Sequence, residues 1–158
     1  VNSIVSQLEA LLDPWNAQLP VRYAGLSNAI PVLRQLLGAV RGLNWVGFYV
    51  VDSSSLLLGP FFGNVACVRI SYGAGVCGKA WKEKKSILVP DVRLFSGHIA
   101  CDANSRSELV VPIVSRGQVV ALIDADSVVT EAFSLEDAQV VEQAAAVIAE
   151  RLFYVSAT

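Results

Sequence analysis

Three cysteines, the single histidine and a group of acids share one stretch of the chain, from Cys67 to Asp126. A cysteine reacts as its thiolate, and the three settings favour that form differently. Cys67 reads as a strand residue. Cys77, in Gly75-Val76-Cys77-Gly78, stands where a helix should open, and free N–H groups and the helix dipole lower a thiol's pKa in a first turn. Cys101 falls in a polar loop beside Asp102, where accessibility favours it as a nucleophile. One cysteine alone would read as a small buried hydrophobe; three in so short a span weaken that reading. His98-Ile99-Ala100-Cys101, with Cys67 and Cys77, could offer four zinc ligands. Structural zinc sites use two close pairs, however, and Cys67 and Cys77 are too widely spaced for one. His98 by itself reads as a structural residue bonding loop backbone.

The carboxylates carry more information. Asp124 and Asp126 alternate with Ile123 and Ala125 at the end of an apolar run, so in a strand both acids point to one face. Glu108 opens the preceding run, and antiparallel pairing across Ser115-Arg116-Gly117 brings it near Asp126. Solvated strand ends are the ordinary alternative. If the three converge with little water, repulsion raises at least one pKa and leaves a protonated carboxyl able to donate, or a cluster able to hold an ammonium group. The Gly73–Gly78 loop lacks the Gly-Lys-Ser/Thr ending of a phosphate-binding loop.

The surrounding elements have to position these groups. Ile4, Val5, Leu8, Leu11 and Leu12 predict a helix over Asn2–Leu12 that closes near Asp13-Pro14, and a second is expected from about Gly25–Pro31 to Gly42. The β-branched and aromatic run Asn44–Val51 and Leu56–Gly59 form a hairpin. A third strand is expected over Ala66–Ile70, then a helix from about Cys77 to Lys84 and a short strand at Ser86–Val89. Val92–Asn104 has no period and reads as a long loop, often a functional feature in a compact domain. Glu108–Val114 and Gln118–Asp126 pair as a hairpin. Ser134-Leu135-Glu136-Asp137 is a capping-box start for a closing helix to about Tyr154, with Val140, Val141, Ala144, Ala145, Ile148 and Leu152 on one face. The order predicts an α+β domain with a mostly antiparallel sheet.

Composition excludes other classes. The net charge is −2 and no basic stripe appears, which argues against nucleic acid and against an anionic membrane surface. No apolar run approaches the roughly 20 residues of a membrane span, and the polar, amphipathic start lacks the features of a signal peptide. A cytoplasmic location is expected. The odd cysteine count speaks for reduced thiols rather than a disulfide framework. A 54 % apolar share leaves room for an oligomer face.

Five motifs in order, NWVGFY, GPFFGNVACVRI, GAGVCGKAW, FSGHIACDANSRSE and IDADS, resemble those of the free methionine-(R)-sulfoxide reductases. The likeness runs from Asn44 to Ser127. It implies a single GAF domain over residues 1–158, with helices from both ends packed on the sheet, acting as a homodimer without cofactor or metal. It also implies thioredoxin-dependent reduction of free methionine-(R)-sulfoxide, through a cysteine sulfenic acid and a disulfide. By motif, Cys101 matches the attacking cysteine, Cys67 the main resolving one and Cys77 a third catalytic cysteine. Glu108, Asp124 and Asp126 match the acids of the substrate pocket, and Trp45 and Tyr49 its aromatic wall. The competing class is a non-enzymatic GAF sensor that binds a small ligand in the same pocket.

Overall fold

A computed structural model describes residues 2–11 and 19–154. Six strands form one sheet in the order β3-β2-β1-β6-β5-β4, every neighbouring pair antiparallel. The strands are β1 (Leu43–Asp52), β2 (Ser55–Phe62), β3 (Arg69–Ser71), β4 (Ile87–Val89), β5 (Ser107–Ser115) and β6 (Gln118–Ser127). Helices α1 (Asn2–Leu11), α2 (Leu19–Leu36) and α4 (Leu135–Ile148) cover one face, and α3 (Gly75–Glu83) the other. No helix among the described residues is long and apolar enough to cross a membrane.

Strand alternation divides the interior in two. Val46, Phe48 and Val50 of β1, Leu109, Val111 and Ile113 of β5, and Ile123 and Ala125 of β6 pack with Leu26 and Leu33 of α2 and Val141 and Ile148 of α4. The alternate residues Trp45, Tyr49, Val110 and Leu122 face a second cluster with Val76, Cys77 and Ala80 of α3. The first cluster is wholly apolar, and the second contains the chemistry.

Several element boundaries differ from expectation. Helix α2 starts at Leu19, earlier than the Gly25–Pro31 region, and carries Pro31 inside it; packing of its apolar face outweighs the missing N–H. It also ends at Leu36 rather than Gly42, and turns complete the path to β1. The close of α1 near Asp13-Pro14 lies outside the described residues. Strand β2 runs past Gly59 to Phe62 through a bulge at Gly59 and Pro60 opposite Phe48, where proline's missing N–H costs no ladder bond. Strand β3 is shorter than Ala66–Ile70, because the chain before Val68 leaves the sheet. Helix α4 begins on the expected capping box: Ser134 Oγ accepts from Asp137 N at 3.1 Å, and Asp137 Oδ2 accepts from Ser134 N at 2.7 Å. A cap of this kind is worth about 1 kcal/mol. Its last turn, Ala149–Phe153, is π-helical.

Candidate active site

Register brings the acids together. Glu108 of β5 and Trp45 of β1 lie on either side of Asp126 of β6, and Val110 and Gly47 on either side of Asp124. All these residues therefore share the sheet face that carries α3. Glu108 and Asp124 are buried, at 6 % and 7 % exposure. Burial first, then the Asp126 charge, pushes the Glu108 pKa well above the ordinary carboxyl value. Asp124 is raised by burial and by Glu108, and Asp126 by burial and by Asp124. Each shift favours the protonated carboxyl, the form that a general acid needs. Asp124 Oδ1 is buried with no hydrogen-bond partner.

Cys77 is the third residue of α3, inside the first turn, yet its thiol is not the activated one that position alone suggests. It is buried, donates to Asp124 Oδ2 at 3.4 Å, and its pKa is pushed well up by burial and by the neighbouring acids. Desolvation beside three carboxyls outweighs the helix dipole, a modest term. Cys67 and Cys101 are joined in a disulfide with Cα atoms 5.3 Å apart. That bond consumes both thiols, so the four-ligand zinc set of Cys67, Cys77, His98 and Cys101 cannot form. A different donor set exists: Cys77 Sγ and oxygens of Glu108 and Asp124 lie within 4.8 Å of one another. All three residues line the same pocket.

Every residue singled out in the sequence lines this one pocket except Cys67, which reaches it through its bond to Cys101. The aromatic wall is built by contacts the sequence does not display. The Trp45 indole stacks on Tyr49, centroids 6.1 Å apart, and on Phe61 at 5.4 Å, while its Nε1 donates to the Asn64 carbonyl at 3.1 Å. Gly47 and Gly63 make room for it: a Cβ at either would sit 2.5 Å or less from the indole. Tyr49 donates its hydroxyl to the Cys67 carbonyl at 3.0 Å, tying the wall to a disulfide segment, and burial raises its pKa.

Sequence reasoning missed Ser105 and Phe61, and it misjudged the partner of His98. His98 does not bond loop backbone with its ring; its Nε2 stands 3.3 Å from Glu108 Oε2. Burial lowers the His98 pKa and raises that of Glu108, so it opposes the charged form of both partners in this contact. Ser105 Oγ is buried near Asp126 without a hydrogen bond of good geometry. Phe61 enters through the extension of β2. The one signal available for His98 was its place within the cysteine-bearing stretch.

Comparison with known proteins decides the family. The GAF domain family matches residues 26–152. The free methionine-R-sulfoxide reductase of Escherichia coli is 44 % identical over 120 residues, covering 76 % of this chain and 71 % of the relative. The chain belongs to the free methionine-R-sulfoxide reductase family. Among solved structures, the Neisseria meningitidis reductase in complex with its substrate superposes with a TM-score of 0.83 at 38 % identity, covering 95 % of this chain and 86 % of that one. The reduced form of the Staphylococcus aureus enzyme gives 0.83 at 37 % identity, covering 96 % and 94 %. The α+β GAF architecture expected from the motifs is the one found, with its antiparallel sheet and helices from both ends of the chain.

Proposed function

We propose that this chain reduces free methionine-(R)-sulfoxide to methionine, with Cys101 as attacking thiol, Cys67 as resolving thiol and the Glu108, Asp124 and Asp126 group as acid and ammonium binder. The observation that carries the proposal is the Cys67–Cys101 disulfide at a pocket floored by three carboxyls of raised pKa. In the reduced protein the Cys101 thiolate attacks the sulfoxide sulfur while a protonated carboxyl donates to the oxygen. Methionine leaves and the oxygen remains on Cys101 as a sulfenic acid. The Cys67 thiol then attacks that sulfur, water departs and the disulfide closes. Cys77, buried against Asp124, holds that carboxylate in place from below the reacting atoms.

Each turnover leaves a disulfide that needs two electrons, and thiol exchange with a thioredoxin-class dithiol, near about −270 mV, supplies them. A reducing compartment such as the cytoplasm suits this cycle. A second copy covering Tyr23, Phe61 and Phe62, left exposed on α2 and β2, gives the homodimer we propose; a monomer in sedimentation would remove that part. A purely sensory GAF pocket has no use for a disulfide at its mouth, which favours the enzyme.

Selection of the free amino acid follows from the floor. An ammonium satisfies Asp124 Oδ1 and its neighbours, whereas a peptide brings none and must also leave the pocket in two directions. Polar groups left unpaired in a buried site discriminate by about 10⁴ or more. In a thioredoxin-coupled NADPH assay, free R-sulfoxide should turn over and the S-sulfoxide and a sulfoxide-containing peptide should not. Comparable rates on the peptide would contradict the enclosed site.

A further inference from the structure

Asp102 follows Cys101 directly and takes part in none of the steps above, yet its carboxylate is fully engaged. Oδ2 accepts from Asn44 Nδ2 and from Asn64 Nδ2, each at 3.3 Å, and Oδ1 accepts from the Asn104 backbone at 2.9 Å. Asn44 belongs to β1, at the centre of the sheet. Asn64 lies three residues before Cys67, and its carbonyl also receives the Trp45 indole. One side chain therefore links the segment bearing Cys101, the segment bearing Cys67 and the rigid strand between them.

This link matters because the other side-chain contacts tie each segment to the sheet, Trp45 on the Asn64 carbonyl and Tyr49 on the Cys67 carbonyl for one and Glu108 on His98 for the other, whereas Asp102 ties the two segments to each other. Residues 98–104 contain no strand or helix, and their backbone bonds are local: His98 N to Phe95 O, Cys101 N to Ile99 O, and Ser105 N to Asp102 O. Residues 63–67 have left the sheet, and Val65 is 86 % exposed. The disulfide joins positions 34 apart in sequence. Once it is open, bringing the two sulfurs together again costs loop-closure entropy unless another contact bears it. A carboxylate beside a cysteine also opposes thiolate formation, so its presence there needs an offsetting role.

We propose that Asp102 is a positioning residue for the resolving step, holding the Cys101 and Cys67 segments together through Asn64 and Asn44 while the sulfur–sulfur bond is open. The proposal rests on the cysteine roles given under the proposed function. In the step it assists, the Cys67 thiol attacks the Cys101 sulfenic sulfur, the S–O bond breaks, the oxygen leaves as water with the thiol proton, and the S–S bond forms. No outside oxidant or reductant enters. The clamp raises the effective concentration of one sulfur at the other and leaves the preceding attack on substrate to Cys101 and the acids.

Single-turnover kinetics of the full chain, reduced and then freed of reductant, separate the two steps: methionine release reports the attack, and loss of dimedone-reactive sulfenic acid reports resolution. D102A should release methionine within about threefold of the parent rate. Its sulfenic acid should persist at least about tenfold longer. Equilibration with glutathione should find the disulfide potential less negative by about 30 mV for each tenfold loss of effective concentration. N64A, which alters an exposed side chain and spares the fold, should show a smaller change in the same direction, and D102N, which keeps one acceptor, should recover part of the loss. Resolution at the parent rate with an unchanged potential in both D102A and N64A would overturn the inference, as would equal slowing of both steps. If D102A does not fold, N64A and D102N decide alone: unchanged lifetime and potential in both overturns it. Failure of the parent protein to release methionine would instead overturn the proposed function.

Discussion

The acid role proposed for Glu108 depends on its burial, and burial is what makes its charge costly. Its folded pKa lies well above the ordinary carboxyl value because burial and Asp126 oppose ionisation, while the unfolded chain ionises near about 4.3. Between those two points the native state holds more protons than the unfolded one. The stability tied to this group is therefore fully present below about pH 4 and is lost as pH rises through the folded pKa. E108Q removes the charge and keeps the shape. It should be inactive yet more stable than the parent at pH 8 by about 1–2 kcal/mol, seen in calorimetry as a Tm higher by about 2–8 °C. The gap should close toward pH 4, and a gap independent of pH would contradict the raised pKa. At this scale the acids were legible because strand alternation is a property of sequence: Asp124 and Asp126 had to share a face, and the hairpin had to bring Glu108 across. Cys77 could be read only as a candidate thiolate, because its position in the first turn is local, whereas its burial against Asp124 depends on how α3 lies over β6.

Element boundaries moved where a contact between elements overrode a local signal. The strand expected over Leu56–Gly59 runs on, because the bulge opposite Phe48 absorbs Pro60 and lets β2 reach Phe61. Phe61 pairs with Gly47 and stacks on Trp45. Gly47 sits in an otherwise β-branched and aromatic run, and nothing in that run announces that an indole folds back across it. A Cβ there would stand 2.4 Å from Phe61 Cβ and 2.5 Å from the Trp45 ring. G47A should therefore displace the indole, lower stability by about 1–3 kcal/mol, and weaken substrate binding by about tenfold, or about 1.4 kcal/mol. Tryptophan fluorescence and KM would read both effects, and an unchanged spectrum with an unchanged KM would show that Gly47 does not position the wall. The loop expected over residues 92–104 was legible from its missing period, except that Val92–Leu94 form a 3-10 turn capped by Asp91. Its attachment by Asp102 was not, since Asn44 and Asn64 lie far away in sequence.

The whole molecule divides its work between two sheet faces. One is packed by α1, α2 and α4 into an apolar layer that fixes the strands, and the other turns the alternate residues of those strands toward α3 and the two cysteine-bearing segments. The fold was legible to the extent that hydrophobic period names elements. The sheet order, which sets β1 between β2 and β6 and so puts Trp45 beside Asp126, depends on pairing that no local pattern encodes. The account rests on that assembly passing one oxygen atom from substrate to Cys101 and closing a bond to Cys67. Its most direct test is peptide mapping by mass spectrometry of the reduced chain after one turnover with free methionine-(R)-sulfoxide and no reductant. The account predicts about one methionine released per chain and a Cys67–Cys101 bridge, with Cys77 still a thiol. Methionine release with a bridge that includes Cys77, or no bridge at all, would contradict it.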